Sequence, residues 1–278
     1  MSNQNYITED EIDLRDCIRV ILKRRKIILT VFFVAVITTA IASFLMPQIY
    51  EATSKVQIGR IDELLMKKEE AKEMLLSPSL LAPIIKEFKL DIKIEELRKK
   101  VKIEDIKDTD LLEINVQYHD ADMALKINEA IINSFISYGQ AIYQERISLI
   151  NERLKELDTE IRNTQEDIRR TQSLINELLG TTSISQPEIS LRIILLQNTL
   201  PNYESHLYAL KNQRSTLKRL LVKARDFKIF EAALKPEYPI KPKKRLNVTI
   251  AGILGLISGI FLVFFIEFLE KNKEVITK

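Results

Sequence analysis

Two uncharged apolar runs, Ile27–Met46 and Leu246–Ile266, constrain this chain more than any other feature in it. Crossing roughly 30 Å of hydrocarbon takes about 20 apolar residues at 1.5 Å rise each. Both runs meet that length without an Asp, Glu, Lys or Arg. A cleaved signal peptide is the competing reading of the first run, but its apolar region is normally about 7–15 residues and closes on small residues. Here the run is longer, 26 residues precede it, and Phe44-Leu45-Met46-Pro47 offers no such closing site. A buried core helix is the competing reading of the second run. Against it stand Gly252, Gly255 and Gly259 within one apolar stretch, a composition commoner in membranes than in soluble helices. Two spans place everything between them on one side of a bilayer.

Arg15, Arg19 and the cluster Lys23, Arg24, Arg25 and Lys26 precede the first span, which marks that flank as cytoplasmic under the positive-inside rule. Both termini are then expected inside and the large loop outside. Lys241, Lys243, Lys244 and Arg245 oppose this at the second span, but long loops translocate largely regardless of their charge. The loop itself is solvated in character, since charged residues make up 29% of a chain that also carries two spans. A net charge of +3 gives no electrostatic footprint for nucleic acid, and the juxtamembrane clusters suit anionic lipid head groups instead. The single cysteine, Cys17, lies before the first span, so no disulfide framework holds the outer part.

After the first span, Tyr50–Ile58 alternates in part and closes on Gly59, as a strand does. Residues 62–88 read as helix, broken at Ser77-Pro78 and Pro83 because proline removes a donor and clashes with the preceding turn. A short amphipathic piece, Ile92–Lys99, leads into Val101, Ile103 and Ile106. Beyond Asp108-Thr109-Asp110, the residues Leu112, Ile114, Val116 and Tyr118 alternate with Glu113, Asn115 and Gln117, which predicts a hairpin with one buried and one wet face.

From Asp120 the apolar period lengthens. Asp120 or Asp122 can cap a helix through Ala124, Ile127, Ala130, Ile131, Phe135 and Tyr138. Then Ile147, Ile150, Leu154, Leu157, Ile161, Thr164, Ile168, Thr171, Ile175 and Leu178 follow at alternating steps of three and four, a heptad seam. Gly180–Pro187 reads as a turn. The spacing returns in Ile193, Leu196, Leu200, Tyr203, Leu207, Leu210, Arg214, Leu217 and Leu221. Two segments of about 35 residues around a short turn predict an antiparallel helical hairpin roughly 50 Å long, an arm directed away from the membrane. Thr164, Thr171 and Arg214 within the seam mark either local wetness or a choice of register and partner, and Pro201 is expected to kink or interrupt the descending helix. Phe227–Leu234 then returns and can add a strand beside the first one.

No catalytic constellation can be placed. His119 and His206 have no cysteine or second histidine at metal-ligand spacing, and no phosphate loop, nucleophile elbow or dinucleotide turn occurs. No catalytic, cofactor-binding or metal-ligating residue is therefore assigned, and no enzyme activity is expected. Three devices remain. Pro236, Pro239 and Pro242 recur every third residue, favouring a stiff polyproline II strut before the second span. Ala251, Gly252, Gly255 and Gly259 form a small-residue stripe, matched by Ala35, Thr39 and Ser43 on the first span, which serves packing within or between protomers. The heptad arms either satisfy each other or associate side by side.

Taken in this order, the features resemble the bacterial polysaccharide chain-length determinant family, the Wzz-type polysaccharide co-polymerases. The likeness is carried by Glu11-Ile12-Asp13-Leu14 and the basic Lys23–Lys26 before the first span, by Tyr50-Glu51-Ala52 after it, and by Ala232–Lys244 before the glycine-rich second span. The resemblance implies an α+β membrane protein of the bacterial inner (plasma) membrane. Two transmembrane helices flank a periplasmic α/β base with a long antiparallel coiled-coil arm, assembled as a homo-oligomer. It also implies control of the chain length of O-antigen, lipopolysaccharide, capsule or exopolysaccharide, with a separate membrane polymerase and a lipid-linked glycan as partners. Some relatives carry a cytoplasmic tyrosine kinase after the second span; none is expected on this short tail, and a kinase on a separate polypeptide stays open. A polysaccharide export adaptor contacting an outer-membrane conduit and a two-pass periplasmic sensor are the competing readings. The expected division is a cytoplasmic segment 1–26, a first span 27–46, the first part of the base 47–120, the arm 121–225, a returning strand and strut 226–245, a second span 246–266 and a cytoplasmic tail 267–278.

Overall fold

A computed structural model describes residues 14–180 and 186–276. In chain order its elements are α1 (Leu14–Lys23), α2 (Arg25–Leu45), β1 (Tyr50–Gln57), α3 (Lys68–Leu75), α4 (Pro78–Glu87), α5 (Ile94–Lys100), β2 (Val101–Asp105), β3 (Leu111–Tyr118), α6 (Ala121–Gly180), α7 (Gln186–Lys223), β4 (Lys228–Glu231) and α8 (Lys244–Ile276). Helix dominates, with one small antiparallel sheet. Glu11–Asp13 and the turn residues 181–185 lie outside the described residues. The chain divides into two compact units. One comprises the residues through Glu51, Tyr118–Ala121 and the chain from Pro236 onward; the other comprises Ala52–Gln117 and Asp122–Lys235.

The first unit is built on α2 and α8, two helices long and apolar enough to cross a membrane. The side chains they turn outward are apolar, as at Phe33, Ile37 and Ile41 on α2 and Ile253, Leu254 and Phe261 on α8. In water such a surface is unfavourable by about 25 cal/mol per Å². A bilayer removes that cost.

The second unit has a sheet in the order β2-β3-β1-β4. β2 and β3 pair antiparallel from Val101↔Val116 to Asp105↔Leu112, and β1 pairs antiparallel with β4 from Lys55↔Glu231 to Gln57↔Lys228. Between β1 and β3, Thr53 bonds Asn115, Ser54 bonds the Ile114 carbonyl and the Ile58 N–H bonds the Asp110 carbonyl, so these strands also run in opposite directions. Leu112, Ile114 and Val116 are fully buried, as their alternation predicts. Asn115, expected on the wet face, is also buried. It sits on an inner strand, where Thr53 donates to its Oδ1 at 2.6 Å and its own amide donates to Glu113 at 3.2 Å.

Helix α6 lies against this sheet through Ala124, Ile127, Ile131, Ile132 and Phe135. Asn128 is fully buried and donates to the carbonyls of Ala52 at 2.9 Å and Ile114 at 3.0 Å, tying the helix to two neighbouring strands. Leu75, Leu81 and Leu97 from α3, α4 and α5 complete the core.

Two local expectations are corrected. Residues 62–67 are not helical: Arg60 exchanges two backbone hydrogen bonds with Arg225, and the Leu65 N–H returns to the Gly59 carbonyl, which turns the chain before a helix can start. Pro83 does not break α4. The helix starts at Pro78 behind the Ser77 cap, and its buried face of Leu80, Leu81 and Ile84 outweighs the one hydrogen bond that Pro83 cannot make.

α6 is a single helix of 60 residues, about 90 Å at 1.5 Å per residue, and joins what the sequence reads as two helical segments. α7 runs back along it and passes through Pro201 without interruption.

Candidate functional site

The glycine stripe of α8 is occupied by α2 of the same chain. A Cβ at Gly259 would lie 3.1 Å from the Ile28 Cα, one at Gly255 would lie 3.0 Å from the Ala35 Cβ and 3.2 Å from the Phe32 Cα, and one at Gly252 would lie 3.1 Å from the Phe32 ring. Descending numbers on α2 meet ascending numbers on α8, so the pair is antiparallel. Small residues let two helices come close where lipid supplies no hydrophobic drive for association. Ser43 is buried and accepts a hydrogen bond from the Asn247 amide at 3.2 Å, while Thr39 and Ala251 line a shallow open groove beside this contact.

Both ends of the helix pair are polar. At one, the Lys244 ammonium sits 4.2 Å from the centroid of the Phe44 ring, a cation–π contact. At the other, Arg24 bonds Glu267 at 3.0 Å and also reaches Glu270, and Lys23 lies 3.7 Å from Glu267. Arg25 and Lys26 remain exposed. Glu267 and Glu270 were not singled out from the sequence. Their spacing of three, which places both carboxylates on one helix face just past an apolar run, is the signal that could have found them.

The proline-rich segment before α8 is tied by backbone hydrogen bonds to the residue that follows α2 and its turn. Ile49, just past the first span, donates to the Lys241 carbonyl at 3.1 Å and accepts from the Ile240 N–H at 2.8 Å. Pro239 and Pro242 bracket this contact, and Pro236 precedes it.

In the arm, Leu157, Ile161 and Leu210 form a buried cluster with Leu207 and Leu217 packed against it. Leu154 and Ile175 are also buried, and Ile147, Ile150, Leu178 and Leu221 are half-buried along the same line. The seam's polar members are accommodated locally. Thr164 donates to the Glu160 carbonyl of its own helix at 2.9 Å, and Arg214 reaches across to Asp158 at 2.9 Å. Off the seam, Leu174, Leu179, Leu191, Ile194 and Leu195 are each about half exposed or more.

The sheet unit contributes a hydrogen-bonded pair of its own, Lys55 to Glu231 at 2.6 Å. That bond and the carboxylate charge hold the Lys55 ammonium above its ordinary range. The ring of His119 packs on Tyr118, and His206 is exposed on α7. Among the described residues no group of three or more His, Cys, Asp or Glu could hold a metal ion.

A chain with two membrane-length helices, a small antiparallel sheet and a long helix carrying a second one is the class of protein this architecture defines. Residues 10–88 match the family model described as Wzz, chain length determinant protein, and the chain resembles that family. The matched stretch takes in α1, α2, β1, α3 and α4. Among solved structures, the chain is similar to a full-length bacterial polysaccharide co-polymerase at 14% identity and a TM-score of 0.42, covering 93% of this chain and 99% of that one. It is also similar to the Shigella flexneri lipopolysaccharide O-antigen chain-length regulator WzzBSF at 12% identity and a TM-score of 0.31, covering 68% and 99%. A Wzz dodecamer fitted to a cryo-EM map matches at 13% identity and a TM-score of 0.27, covering 68% and 98%. No individual curated protein matches.

Proposed function

We propose that this protein is a non-enzymatic regulator of surface polysaccharide chain length, an inner-membrane homo-oligomer that works beside a separate polymerase. The match of residues 10–88 to the chain length determinant model carries this reading. O-antigen, capsule and exopolysaccharide are all polymers on which such control acts.

The mechanism is geometric. The paired spans hold both ends of the large loop at one membrane face, and the basic Lys23–Lys26 cluster supports a cytoplasmic position for that pair's charged end. The loop is then periplasmic and both termini are cytoplasmic. Exposed leucines off the seam of the arm, with glycines already spent inside the protomer, support association through the arm rather than through the α8 stripe. An assembly of this kind sets how long a growing lipid-linked glycan stays with its polymerase.

Deleting the gene and resolving the surface glycan on a gel tests the reading. The expected result is loss of the modal length with polymer still made; an unchanged length distribution would overturn it. A reporter inserted within residues 181–186 is expected to read as periplasmic.

A further inference from the structure

Beside the outer edge of the sheet lies an open cleft of 560 Å³, within the range of roughly 300–1,000 Å³ typical of ligand sites. Its walls come from three separate stretches of the sheet unit: the end of β1, the β2–β3 turn and the approach to β4.

Gln57 forms the floor. It is only 7% exposed, and its side-chain amide has no hydrogen-bond partner among the described residues. Val56 beside it is fully buried in the core, so strand alternation turns Gln57 to the opposite face. Lys228 stands directly across from Gln57 in the β1–β4 register, and Phe230, the extra residue where that register shifts, lines the same cleft. The Phe230 ring is 59% exposed at the cleft wall.

The charges are unequal. Arg60, Arg225 and Lys228 face Asp108 and Asp110, and Arg60 is already paired with Asp110 at 2.8 Å. Arg225 and Lys228 are exposed, and neither side chain has an acceptor among the described residues. One cation is therefore in surplus.

These groups sort the ligands by chemistry. An exposed aromatic ring stacks on the apolar face of a sugar or a base. Carboxylates and an amide accept and donate to sugar hydroxyls, whereas two carboxylates repel the multiple charges of a phosphate chain. A single uncompensated cation matches a single carboxylate.

We propose that the Gln57–Lys228–Phe230 cleft binds a uronic acid residue of an oligosaccharide, the ring stacked on Phe230 and its carboxylate held by Arg225 and Lys228. This rests on the chain-length reading and names a class of glycan the protein would touch.

The test is isothermal titration calorimetry of the full chain in detergent with trigalacturonate, its methyl ester and inorganic phosphate. Trigalacturonate is expected to bind. The double variant Arg225→Gln/Lys228→Gln should weaken it at least tenfold and Phe230→Ala at least fivefold, with unchanged circular dichroism, since all three side chains are exposed. The methyl ester should bind at least tenfold more weakly than the acid. No binding of trigalacturonate, equal binding of the ester, equal affinity of the variants, or phosphate competing at the same concentration would each overturn the proposal.

The deletion gel separates the two readings. Absent binding together with lost length control removes the cleft and leaves the function standing. Unchanged glycan length in the deletion removes the function whatever the calorimetry shows.

Discussion

In the sheet unit, the Phe227 ring is closed in on every side, packed edge-on to Phe135 at 5.7 Å and so near Gly59 and Gly139 that a Cβ on either would fall within 2.6 Å of it. Along the arm, a buried side chain such as Leu157 clusters with Ile161 of its own helix and with Leu210 of the facing one. The first is a core in three dimensions and the second a seam one residue deep. A deep core punishes any change of volume because its surroundings relax only in part. A seam can yield sideways toward solvent. That is why Thr164 and Arg214 can sit within the seam, Thr164 bonded to a carbonyl of its own helix and Arg214 to Asp158 across the arm.

The contrast can be broken by experiment. Phe227→Ala should cost about 3–5 kcal/mol and remove hydrogen-exchange protection from β1, β4 and the first turns of α6 together; protection lost only near residue 227 would show that the core is not cooperative. Leu157→Ala should cost about 2–3 kcal/mol, at the low end for such truncations. Its loss of protection should stay within the arm, and spread into β3 would erase the distinction between the two regions. Arg214→Ala should cost about 0.2–1 kcal/mol, as an exposed pair does, and the effect should shrink in high salt; a salt-insensitive loss would mean that the side chain packs rather than pairs.

The smallest effect concerns pH. Glu231 raises the Lys55 ammonium in the folded state, so this contribution is complete below the ordinary lysine value of about 10.4 and fades as pH climbs through the raised one. Protection of β4 should therefore weaken slightly in strong alkali, and Lys55→Met should remove that slope. An unchanged slope in the variant would assign it elsewhere.

What could be read from the sequence followed the same division. Seam positions were legible because burial in a two-helix arm depends on heptad phase alone; Tyr203, at 38% exposed, is the one that drifts outward. The spans were legible from length and composition, and so was the glycine stripe, although only the structure shows Ile28, Phe32 and Ala35 filling it. Gly59 and Gly139 carried no such pattern. Their reason is a ring supplied from a distant part of the chain, and periodicity registers only near neighbours. The same holds for the cleft, which gathers Gln57, Asp108 and Lys228 from three stretches without a shared motif. Residues 62–67 misled because apolar spacing cannot register that Arg60 is already committed to the Arg225 backbone.

The unbroken course of α6 has a mechanical consequence. Its first turns, Ala124–Gly139, are clamped by the core, by Asn128 and by the Phe227 ring, while the remainder continues to Gly180 as one unbroken helix. At 1.5 Å per residue the part beyond Gly139 is about 60 Å long, so a tilt of about 5° at the clamp swings its far end through about 5 Å. A small rearrangement around Asn128 is thereby delivered, magnified, at the tip.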